Sequence, residues 1–102
     1  MRIPDLNKQN RDFANGGGVS ANNREHGFIP AFKEANTERV ELSRFRDGRR
    51  APIHTLEGLP EEWVVERGAN GEIVRILDSV IAGFVRDDVF FTREQAAQKV
   101  AA

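Results

Sequence analysis

The sequence predicts an α+β domain: a small, mainly antiparallel sheet of five or six short strands, with a C-terminal helix and a flexible N-terminal arm. Three observations carry this reading. Two apolar runs, Trp63–Arg67 and Glu72–Ile76, flank an Asn70-Gly71 turn signal, the strongest short-range mark of a hairpin. A third run, Ser79–Arg86, reaches an Asp87-Asp88 pair and continues as Val89-Phe90-Phe91, so the segment from Trp63 onward reads as an antiparallel meander. Thr92 and Gln95 then have the spacing of a capping box, which starts a helix.

With 102 residues and 11.4 kDa there is room for one core. Residues 1–25 are expected to be the arm. They hold Asn7, Asn10, Asn15, Asn22 and Asn23 and the Gly16-Gly17-Gly18 triplet, while Ile3, Leu6, Phe13 and Val19 stand isolated. So few apolar side chains do not offset the entropy of ordering such a segment. The single domain is then expected over residues 26–102. Its small size favours self-association, since a lone core of that size is only marginally stable.

Within the domain, Phe28-Ile29-Pro30-Ala31-Phe32 reads as a first strand. Pro30 cannot donate to a ladder and so points to a sheet edge. Glu34-Ala35-Asn36-Thr37 makes a turn, and Val40 and Leu42 alternate with polar neighbours in a second strand running to Phe45. Asp47-Gly48 breaks that run. Pro52–Leu56 reads as a short third strand, and Gly58–Glu62 as one helical turn with Pro60 at its first position. Ser79–Arg86 is apolar on both faces and is placed at the centre of the sheet between two covering layers. Ile73, Ile76, Leu77, Val80, Ile81 and Phe84 also fit one face of a helix. Their β-branched character, Gly83, and the hairpin signal ahead of them favour strands. Ala96, Ala97, Val100 and Ala101 give the last helix a face of small residues that suits close packing on the sheet.

The chain has no cysteine, which removes disulfides, thiolate nucleophiles and Cys-ligated metals. A cysteine-free domain of this size suits a reducing compartment, and no apolar run approaches spanning length. The expectation is therefore a cytoplasmic protein without a membrane partner. A net charge of −1 gives no overall attraction to nucleic acid.

Two surfaces stand out as candidates for binding. Adjacent residues of a strand point to opposite faces, so one of Phe90 and Phe91 leaves the core unless both faces are covered. With Trp63, they are the expected anchors of a protein interface. The alternative is the segment Arg39–Arg50, where Arg39, Arg44, Arg46, Arg49 and Arg50 outnumber Glu41 and Asp47 and Phe45 is interleaved. Arginine forks suit phosphate oxygens and a Phe ring suits a base, so this hairpin or loop is the candidate nucleic-acid surface. The acidic stretch Glu57–Glu72 is able to neutralise it within the fold or across a dimer, which is the simpler reading.

No chemistry-bearing motif is present. His54 with Glu57, and His26 with Glu25, lack the partners that a general base or metal site requires. The glycine triplet lacks the strand, helix and Lys-Ser/Thr ending of a phosphate loop. Asp87-Asp88 reads as turn geometry rather than a cation site, and Ser20, Ser43 and Ser79 sit in no nucleophile elbow. No cofactor, metal or small-molecule ligand is implied. The function expected is a non-enzymatic protein-binding or assembly module, of the kind of a small bacterial accessory protein, with a protein partner or self-association preferred to nucleic acid.

Overall fold

The computed structural model describes residues 1–15 and 27–101. They form a small α+β fold: helix α1 (Ile3–Asn15), strands β1 (Ile29–Glu34) and β2 (Val40–Leu42), a 3₁₀ turn (Glu61–Trp63), strands β3 (Val64–Arg67), β4 (Ile73–Ile76), β5 (Val80–Arg86) and β6 (Val89–Thr92), and helix α2 (Arg93–Ala101). The stretch that also fitted a helical pattern over residues 72–85 is strand, turn, strand.

All pairing is antiparallel, in a four-stranded sheet of order β2-β1-β5-β6 and a separate two-stranded sheet of β3 and β4. The expected continuous meander is thus broken between β4 and β5. The backbone of Ile76 bonds to Met1 instead: its N–H donates to the Met1 carbonyl at 2.8 Å, and the Met1 amino group donates to its carbonyl at 3.0 Å. With that side of β4 taken, β5 pairs with β1 along six consecutive residue pairs, from Ile29–Val85 to Glu34–Val80.

Pro30 is a second departure, for β1 lies inside the sheet and not at its edge. Ser43 donates to the Pro30 carbonyl at 2.9 Å, and the bond that Pro30 is unable to return is replaced by Ala51, whose N–H donates to the Ser43 carbonyl at 2.9 Å. β2 ends at Leu42, short of Phe45, and Pro52–Leu56 is loop rather than a third strand.

Over residues 3–15 the expected arm is a helix. The Asp5 carboxylate accepts from the Arg2 N–H at 3.1 Å, half of a capping box, and Pro4 is tolerated in the first turn. Leu6, only 3% exposed, enters the main core with Phe32, Leu56, Leu59, Trp63, Ile73, Ile76, Val80 and Ala82. At the far end of that contact, Asn10 donates to the His54 carbonyl at 3.4 Å and accepts from buried Arg93, the first residue of α2. The glycine triplet and the expected Glu25–His26 pair lie outside the described residues.

A second cluster joins Phe28, Phe84 and Ala96, with Phe91 and Ala97 against it. Here α2 lies on the sheet through its small residues. Its start is the anticipated capping box: Thr92 N–H donates to Gln95 Oε1 at 2.9 Å, and Gln95 N–H donates to Thr92 Oγ1 at 3.1 Å. Asp87 and Asp88 both take left-handed backbone, with φ of 52° and 65°, as the two-residue turn between β5 and β6 requires. No described helix is long and apolar enough to cross a membrane.

Candidate interaction surface

Strand alternation and register divide the four-stranded sheet into two faces. Phe32, Ala82, Phe84 and Phe91 share the inner face, where both clusters and both helices lie. Ala31 pairs with Gly83 and Leu42, Lys33 with Ile81 and Val40, and Val85 with Ile29 and Phe90, so these residues share the outer face. Helices that cover one side of an antiparallel sheet leave the other for water or for a partner.

The outer face is apolar. Ile81 at the centre of the sheet is 41% exposed and Val40 on β2 is 38% exposed; Ile29, Leu42, Val85 and Phe90 are half-buried. Side chains of that kind in the middle strands of a sheet are ordinarily interior. The two covering layers expected around β5 are therefore one layer among the described residues.

Ala31 and Gly83 are buried in this face, and the Phe90 ring lies against Gly83. An ideal Cβ on Gly83 would lie 2.5 Å from Phe90 Cζ and 2.2 Å from the Phe91 carbonyl oxygen, so glycine is what lets ring and backbone approach. Lys33 is the one charged residue among these positions, and its Nζ lies 5.8 Å from the centre of the Phe90 ring.

The three aromatic residues expected at an interface separate. Trp63 is 3% exposed and belongs to the core, with the Arg39 guanidinium 6.0 Å from its ring. It leaves the meander because it ends the 3₁₀ turn, one residue before β3, where it points into the main cluster. Phe91 is half-buried on the inner face, edge-on to Phe28 at 5.6 Å and beside Arg86 and Lys99. Phe90 alone reaches the outer face. Ile29, Val40, Leu42, Ile81 and Val85 join it through β pairing between segments distant in sequence, which no local pattern displays.

Two of the five arginines are paired with carboxylates. Arg39 is paired with Glu41 and Glu62, at 2.8 and 2.9 Å. Arg49 is paired with Asp47 at 2.6 Å and lies over the Phe45 ring. Arg44 donates to the Gly48 carbonyl at 2.9 Å and bridges to Arg50 through the backbone, while the Arg46 N–H donates to Glu57 at 3.4 Å. Of the 57–72 stretch, Glu62 reaches the Arg39 guanidinium, while the bond from Glu57 goes to the Arg46 backbone.

His54 is buried between the rings of Phe32 and Phe84, and its Nε2 donates to the Gly83 carbonyl at 2.6 Å. Burial pulls its pKa down to about 3, helped by the charge of Arg93. A neutral imidazole held in this way supports the sheet. Among the described residues no three His, Asp or Glu side chains gather as a metal site. A cleft of about 660 Å³ opens between α1, residues 53–59 and the β3–β4 hairpin, and Arg46, Glu57, Glu61, Arg67 and Glu72 are among the residues that line it. Opposite charges interleave there, and Arg67 is already paired with Glu61.

Compared with protein-family models, with curated proteins and with solved structures, the chain finds no match.

Proposed function

We propose that this chain is a non-enzymatic protein-binding module that engages its partner through the outer face of the four-stranded sheet. The single observation that supports the reading is the set of apolar side chains on that face, with Ile81 41% exposed, while both helices pack on the other. Contiguous exposed apolar surface of this kind marks interaction sites in proteins that stay in solution. Phe90 supplies the aromatic anchor. The non-enzymatic part of the reading is supported by His54, which is spent on a backbone carbonyl inside the core. The lack of cysteine suits a cytoplasmic setting. Nucleic-acid binding through Arg39–Arg50 has less support, since Arg39 and Arg49 are already held by carboxylates.

Paired capture experiments with the wild-type chain and Ile81→Asp test this reading. Ile81 is exposed, so the substitution leaves the fold intact while placing a charge at the centre of the face. A partner retained by the wild type and lost with Ile81→Asp, with unchanged thermal stability, is the expected result. Equal retention by both would move binding elsewhere on the molecule.

A further inference from the structure

Resting on that reading, we infer that the outer face receives an amphipathic helix of a partner protein that carries a carboxylate within its apolar stripe, and not a second copy of this chain. Charge carries the inference. Two copies packed face to face would bring two Lys33 ammonium groups into one apolar interface. The other outer-face positions placed by register, Thr92 opposite Gly83 among them, include no carboxylate to receive them. Burying an unpaired charge opposes such an association.

A partner helix that carries a carboxylate removes this difficulty. A helix of about 14 residues spans about 20 Å, about the length of β1 and β5, and is an element that completes a sheet covered on one side only. Lys33, half-buried among apolar neighbours, then meets an Asp or Glu of the partner and sets its register.

The test uses the full chain, ¹⁵N-labelled, and three synthetic amphipathic peptides of about 16 residues, identical except for Glu, Gln or Lys at the middle of the apolar stripe. The expected result is that the Glu peptide moves the amide signals of Lys33, Ile81 and Val85 and binds roughly fivefold more tightly than the Lys peptide, the discrimination of one partly exposed ion pair. With Lys33→Glu the order of the peptides reverses. Binding on this face with no preference among the peptides overturns the carboxylate inference and leaves the docking face standing. Absence of shifts on the face with every peptide overturns both. A concentration-dependent dimer whose shifts map to Ile81 and Val85 overturns the inference in favour of a second copy. Co-sedimentation with phosphatidylcholine–phosphatidylglycerol vesicles that Ile81→Asp abolishes overturns it in favour of a lipid surface.

Discussion

The Nε2 of His54 lies 2.6 Å from the carbonyl oxygen of Gly83, so a side chain from the loop after β2 donates to the backbone of the central strand β5. A carbonyl only accepts, which fixes the Nε2–H tautomer. The same glycine admits the Phe90 ring on the opposite face. Loop, sheet and candidate interaction surface therefore meet at one residue.

His54 makes stability depend on pH. The folded state holds it neutral, with its pKa lowered to about 3, so below about 6.5 only the unfolded chain takes up the proton. Stability is expected to fall by up to about 1.4 kcal/mol per pH unit as pH drops below that value, down toward 3. His54→Gln keeps a donor for Gly83 and removes this slope. Urea unfolding between pH 7.5 and 5, a range above the titration of ordinary carboxylates, checks it; identical slopes for wild type and variant would show that His54 is not the group responsible.

Glu34 acts lower on the pH scale. It is buried, and the Ser79 hydroxyl and the N–H groups of Asn36 and Thr37 hold its pKa near 2. Its contribution is present above about 4.5 and is lost as pH falls toward 2. Glu34→Gln is expected to melt below the wild type at pH 7, with the gap closing under acid. A gap that stays constant down to pH 2 would assign the effect to shape and not to charge.

Gly83→Ala is expected to destabilise the fold by about 1–3 kcal/mol, the usual scale for overpacking. The added methyl meets the Phe91 carbonyl oxygen at 2.2 Å as well as the Phe90 ring, and the backbone has no rotamer to yield. Chemical denaturation reads the loss. The double variant Gly83→Ala with Phe90→Ala is expected to recover little of it, because the backbone contact remains.

Leu6→Ala tests the docking of α1. Leu6 is 3% exposed in the main core, so truncation is expected to cost about 2–5 kcal/mol. Hydrogen exchange locates the effect: if α1 is part of the cooperative core, protection falls across β1 and β5 as well as in the helix. Loss confined to residues 3–15 would instead show a helix that detaches on its own.

Leu6 also shows where the sequence was under-read. Ile3, Leu6 and Asn10 are spaced by three and four, and Asp5 stands three residues after Arg2, both marks of a helix. Their scarcity among asparagines hid the pattern, and Leu6 is repaid only by a core assembled from residues 32–82.

Local chemistry determined what the sequence could determine by itself: the Asn70-Gly71 hairpin, the Asp87-Asp88 turn, the capping box at Thr92 and the strand character of residues 80–86 all depend on neighbours within a few positions. Tertiary structure decided the rest. Whether β5 joined β4 or β1, whether Trp63 faced water or core, and which of Phe90 and Phe91 lay outside depended on hydrogen bonds and packing between segments as many as 75 positions apart, such as Met1 with Ile76. Alternation along a strand gives two faces but does not say which one the helices cover.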